Sequence, residues 1–140
     1  MFLLDTNTLS DFFKDHERIL ARMDAVPDDQ EIVTSIISRI EILEGRFASI
    51  RKAANRKELL IAADQLRVDE SRLATIDILP MTQEAADEFE QLLSNKKLKK
   101  IGRPDLLIAC IALANKAILV TRNTKDFVAI PGLPLENWAD

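Results

Sequence analysis

Four short runs rich in Ile, Val and Leu, at 2–5, 32–35 ("IVTS"), 76–79 ("IDIL") and 118–121 ("ILVT"), are separated by stretches of helical periodicity. Runs this short and this apolar suit strands buried on both faces. Alternation with helices predicts an α/β chain whose parallel sheet is covered on each side. Ligands in such sheets bind just beyond the carboxyl ends of the strands. The residues immediately after each strand are therefore the place to seek a site.

The intervening stretches read as amphipathic helices. Over 36–48, Ile36, Ile40, Leu43 and Phe47 form one stripe, and Gly45 either weakens it or approaches a neighbour closely. Over 55–70, Asn55 with Glu58 resembles a capping box, and Leu59, Leu60, Ala63 and Leu66 form the expected apolar face. The linking "RFASIRKAA" holds no strong breaker, so the spacing leaves open whether these are one helix or two. Thr82 caps 83–95, with Ala85, Ala86, Phe89, Leu92 and Leu93 as its stripe, and Pro104 starts a helix over 104–115.

The chain has 140 residues, 47% of them hydrophobic, and only three glycines, which predicts one domain over 1–140 without a flexible linker. Its single cysteine, Cys110, lies in the apolar run "LLIACIALA", so no disulfide can form within the chain and a reduced, cytoplasmic setting is expected. No apolar run reaches membrane-spanning length and "MFLL" is too short for a signal segment, so a protein off the membrane is expected. A net charge of −4 argues against a general electrostatic grip on nucleic acid. The basic residues are nonetheless gathered at 51–57 ("RKAANRK") and 96–103 ("KKLKKIGR").

Acids stand at most of the strand ends. Asp5 comes after the first strand, where a plain helix cap is the competing reading. Glu41 lies about two turns into the helix after the second, beside the expected face of Ile37, Ile40 and Leu43. Asp105 heads "PDLLIACIALA", a helix apolar on all sides and therefore buried, although the helix dipole alone favours an acid there. Thr121, Asn123 and Asp126 come after the last strand. Carboxylates converging in one cleft repel each other unless a cation joins them. A hard divalent ion, Mg²⁺ first, fits such oxygen donors. With one histidine, His16, and one cysteine, zinc has no ligand set.

These residues, in this order, resemble the PIN-domain nucleases, and within them the VapC-type toxins of toxin–antitoxin pairs. The stretches "LLDTNTLSDFF", "SIISRIEILEG", "IGRPDLLIACIALA" and "LVTRNTKDF…PGLPLENW" are similar to the family's four motifs. The resemblance implies a PIN-like (Rossmann-like) three-layer fold with a short parallel sheet of 4–5 strands. It implies Asp5, Glu41 and Asp105 as metal-binding acids, with Thr6, Asn7 and Thr121 orienting them. Where many PIN domains carry a fourth acid this chain has Asn123, with Asp126 one turn further on, so either could complete the site.

The implied reaction is metal-assisted hydrolysis of RNA to a 5′-phosphate product, with Mg²⁺ or its substitute Mn²⁺. Lys96, Lys97, Lys99, Lys100 and Arg103 would hold the RNA backbone. Implied partners are a small VapB-like antitoxin and a second copy of the chain, with no membrane. Other readings are a housekeeping PIN nuclease of RNA processing and a catalytically weak PIN scaffold. A haloacid-dehalogenase-type phosphatase would need an acid at position 7, which is Asn, and a lysine with no clear position.

Overall fold

A computed structural model describes residues 1–140. In chain order the elements are β1 (Phe2–Leu4), α1 (Thr6–Phe13), α2 (Glu17–Asp24), β2 (Ile32–Ser35), α3 (Ile36–Lys52), α4 (Arg56–Leu73), β3 (Asp77–Leu79), α5 (Gln83–Leu93), α6 (Arg103–Ala114), β4 (Ile118–Val120), α7 (Thr124–Phe127) and β5 (Leu135–Glu136). A 3-10 turn, Lys96–Leu98, links α5 to α6. The five strands form one parallel sheet in the order β3-β2-β1-β4-β5. The runs at 2–5, 32–35, 76–79 and 118–121 all become strands, and β5 adds an edge that periodicity does not reveal.

Side chains alternate across the sheet and sort into two cores. Leu3, Val33 and Leu119 face one side, against α5, α6 and the closing residues Phe127, Ile130 and Leu133. Leu4 and Val120 face the other, with Leu9, Phe13, Ile19, Leu73 and Trp138. These faces give three layers. Cys110 is buried in the first core, where burial and then the nearby charge of Glu88 push its thiol up to about 11. It stays protonated and acts as an apolar filler.

Local chemistry resolves what periodicity left open. Asn55 accepts a hydrogen bond from the Glu58 N–H at 2.9 Å, and the Glu58 carboxylate accepts one from the Ala54 N–H at 2.7 Å. That capping box ends one helix and starts the next, so α3 and α4 are separate and fold back on each other. The expected stripes need correction. Ile40 and Phe47 on α3, and Leu59, Leu60 and Ile61 on α4, are 44% to 54% exposed, while Ala62, Asp69 and Leu73 are the buried positions of α4. Glu41 therefore does not sit beside a buried Ile40. Thr82 does cap α5, accepting from the Ala85 N–H, but Leu93 is exposed. Gly45 approaches no neighbour.

Candidate active site

Register brings the strand ends level. Leu4 lies opposite both Thr34 and Val120, so Asp5, Ser35 and Thr121 emerge side by side at one edge of the sheet. Asp5 is buried, its N–H donating to the Val120 carbonyl at 3.0 Å. Its Oδ1 accepts from the Thr8 N–H at 2.8 Å, which caps α1. The cap reading and the site reading of Asp5 are thus compatible, since one carboxylate oxygen caps the helix and the other takes no hydrogen bond from the protein.

A chain of hydroxyls steers Glu41. Ser35 caps α3 by accepting from the Ser38 N–H at 3.1 Å. The Ser38 hydroxyl lies 2.9 Å from Thr6 Oγ1, and the Thr6 hydroxyl donates to Glu41 Oε1 at 2.6 Å. Thr6 has one proton and the carboxylate can only accept, so Ser38 must donate to Thr6. Three hydroxyls on β2, α1 and α3 thereby fix one acid. Ser38 was missed by the motif reading, yet its spacing of three residues before Glu41 places both on one face of α3.

Asp105 stands in the first turn of α6, behind Arg103 and Pro104, with Gly102 at the cap. Its carboxyl is raised above the usual carboxylate range, first by burial, then by the charges of Asp5, Glu41 and Asp126, in that order. That electrostatic signature places Asp105 of α6 near Asp5 at the end of β1, Glu41 of α3 and Asp126 of α7. No three of them close on a common point as ligands. Asp105 lies within reach of the charges of the other three.

The closing motif splits its roles. Thr121 is buried, and its hydroxyl oxygen accepts from the Asn123 N–H at 3.0 Å. It shapes the turn and makes no hydrogen bond to an acid. Asn123 is exposed at the cap of α7, without a side-chain capping bond. Asp126 is the member of this motif whose charge reaches Asp105. Asn7 is exposed and hydrogen-bonds to none of the acids. Lys96, Lys97, Lys99 and Lys100 are exposed, form no ion pairs and lead directly into α6. The Arg103 guanidinium lies 5.0 Å above the Phe89 ring. The other basic cluster, at 51–57, begins ten residues past Glu41, about 15 Å along α3, and does not border the acids.

The donors fit a hard divalent cation. They are all carboxylate oxygens, burial and the neighbouring acids disfavour the charge of Asp105, and no thiolate or imidazole stands among them.

An open parallel α/β sheet with acids at the ends of its central strands defines a class, and comparison gives its family. The PIN domain profile matches residues 2–133, and this chain belongs to the PIN-domain family. Its relatives there are VapC ribonucleases. It is 34% identical over 139 residues to Ribonuclease VapC2 of Rickettsia felis, across 99% of this chain and 98% of that protein. It is 29% identical over 143 residues to Ribonuclease VapC1 of Haemophilus influenzae, across 99% of this chain and 98% of the other. Among solved structures, DNA-bound VapBC from Salmonella typhimurium superposes with a TM-score of 0.79 at 26% identity, covering 98% of this chain and 97% of that one. VapBC2 from Rickettsia felis, bound to a DNA fragment from its promoter, gives 0.77 at 28% identity, covering 98% of each chain. No helix of the chain is long and apolar enough to cross a membrane.

Proposed function

We propose that this chain is a Mg²⁺-dependent endoribonuclease, the toxin of a VapBC-type pair, that hydrolyses RNA phosphodiester bonds. The single observation that carries it is the strand register that sets Asp5 level with Ser35 and Thr121 at one sheet edge, with Glu41 held by the Thr6 hydroxyl and Asp105 within reach of the charges of Asp5, Glu41 and Asp126. Relatives named VapC ribonucleases and neighbours solved as VapBC complexes support the same reading.

Asp5, Glu41 and Asp105 would hold the cation, with Mn²⁺ as a substitute, and Asp126 adds charge beside them. When bound, such an ion activates water for attack and offsets the negative charge that develops on the phosphate. The protein's own part is positioning. Thr6 and Ser38 hold Glu41 in one orientation, the capping bond holds Asp5, and the buried body of α6 holds Asp105 still. The exposed lysines at 96–100 meet the RNA backbone at the rim, so an acidic floor is reached through a basic edge.

The proposed antitoxin is a small protein whose arginine pairs with the acids in place of the ion, since a guanidinium fork matches carboxylate geometry. The exposed apolar residues of α3 and α4 give a helix or a second copy of the chain a surface to cover.

Two measurements test this. Purified chain should cut single-stranded RNA with Mg²⁺ and stop when EDTA removes it. Expression without a partner should arrest growth, and Asp5→Ala should relieve the arrest. A wild-type chain that cuts RNA yet is harmless would favour a housekeeping RNA-processing nuclease. One that neither cuts nor harms would favour a scaffold.

A further inference from the structure

A groove of about 460 Å³ opens beside Glu41, bounded by α1, α3 and α4, and the chemistry above leaves it unused. Thr6, Asn7 and Glu41 line it, so it reaches one of the acids directly, and Gly45, Arg46 and Gln65 line it as well.

Two of these residues do more than the fold requires. Gly45 sits inside α3, where glycine is less favourable than any ordinary residue except proline. Its φ is not positive, and a Cβ built on it would meet nothing within 4 Å. Neither backbone conformation nor close packing therefore calls for glycine. Four residues beyond Glu41, it shares that acid's face of the helix, and the missing side chain leaves room in the groove.

Arg46 is the second. Its Nε donates to the Asp69 carboxylate and its Nη1 to Gln65 Oε1 at 3.0 Å. Asp69 is 8% exposed at its side chain, whereas Arg46 is 29% exposed. The pair ties α3 to α4, but a buried ion pair is often no better at this than apolar residues of similar size. The remaining N–H donors of the guanidinium have no protein acceptor. A planar fork fixed on one side and free on the other suits a phosphate. Lys14 and Arg72 add positive charge to the same groove. Five residues separate Arg46 from Glu41, about 7.5 Å along the helix, within reach of a neighbouring nucleotide.

We infer that this groove is a subsite for the nucleotide next to the scissile bond of single-stranded RNA, with Arg46 gripping its phosphate and Gly45 leaving the floor on which sugar and base lie. The inference rests on the ribonuclease reading above and deepens it.

The test measures binding apart from cleavage. A short fluorescein-labelled single-stranded RNA of mixed sequence is titrated against Asp105→Asn protein, alone and combined with Arg46→Gln or Gly45→Met. Arg46→Gln should weaken binding about 10-fold or more, the scale of a lost charge-assisted hydrogen bond. It should also make the dependence of log affinity on log salt shallower by about 0.7, the share of one phosphate contact on a single strand. Gly45→Met should weaken binding without changing that slope, at an equal or higher Tm, because methionine is the better helix former.

Unchanged affinity and slope in Arg46→Gln, with a lowered Tm, would reduce the pair to a tie between helices and overturn the inference. Normal RNA binding by Gly45→Met would also overturn it, and if that variant escaped its antitoxin the groove would belong to a protein partner. If the wild type fails to cut RNA while both variants still lose binding, the ribonuclease reading falls and the groove stands as an RNA-binding site without a scissile bond. If the wild type cuts RNA and both variants bind normally, only the subsite falls. An Asp105→Asn protein that binds no RNA at all sinks the subsite, and cleavage by the wild type then decides the ribonuclease reading by itself.

Discussion

Helix α6 buries Leu106 and the unbroken run Ile108–Ala112, whereas α3 and α4 together bury only Ser38, Ala62, Asp69 and Leu73. The two regions border the same cleft. One is a packed platform inserted against the sheet, and the other is a wall that leaves much of its apolar surface uncovered. Asp105 therefore sits on an element that has no room to shift, while Glu41 needs the Ser38–Thr6 relay to keep its place. The contrast shows a division of labour. Rigid core fixes the acid that burial makes hardest to ionise, and the looser hairpin leaves apolar surface uncovered.

The comparison can be broken most directly at Asp105. Asp105→Asn should lower RNA cleavage by more than about 100-fold, beyond the 10- to 100-fold typical of losing a group that merely orients a metal ligand. The metal-free fold should keep an equal or higher Tm, because like-charge repulsion falls. A gel cleavage assay beside a thermal melt reads both, and an unfolded product would reduce Asp105 to a helix-dipole residue.

A paired truncation tests the packing contrast itself. Ile108→Ala should cost about 2–5 kcal/mol in denaturant unfolding. Leu60→Ala, at a position 54% exposed, should change stability by no more than about 0.5 kcal/mol. Similar losses at both positions would mean that the hairpin is as tightly built as the platform.

Smaller effects sharpen the picture. Thr6→Val removes the hydroxyl that donates to Glu41 and should lower cleavage about 10-fold with the fold intact. Asp126→Ala should reduce activity more than Asn123→Ala, since only Asp126 adds charge at Asp105. The reverse order would assign the role to the Asn123 carbonyl.

The smallest effect is one of pH. The folded state raises the Asp105 pKa, so it binds that proton more readily than the unfolded chain does. The corresponding stability is fully present below the ordinary carboxylate pKa and is lost as pH rises through the raised value. Melting the metal-free wild type against Asp105→Asn across the acid range should show the wild type losing ground to the variant as pH rises. A constant difference would mean that Asp105 is not perturbed.

Much of this was legible in the order of residues. The strands Phe2–Leu4, Ile32–Ser35 and Ile118–Val120 announce themselves as continuous apolar runs, and a parallel sheet then places Asp5 and the closing motif at one edge. Strand β5, Leu135–Glu136, is two residues long and exists only through its pairing with β4. Helix α2, with Ile19 as its one buried residue, is only eight residues long, about two turns and too short for periodicity to single out. Ile40, Phe47, Leu59 and Leu60 misled because periodicity marks an apolar face without saying whether this chain or another molecule covers it. Arg46 and Asp69 meet across 23 residues, a closeness that no local pattern encodes.

The strand order has a consequence for how the protein comes into being during synthesis. β1 is made before β2 and β4, yet it lies between them at the middle of the sheet. Its second neighbour, Ile118–Val120, is made more than a hundred residues later. Asp5 and Asp105 are likewise a hundred residues apart, so the four acids cannot gather on a partial chain. Long-range pairing of this kind is slow to form, and a nascent chain translated at about 5–20 residues per second spends seconds without a formed cleft. The acidic cleft is thereby withheld until segments a hundred residues apart have both been made.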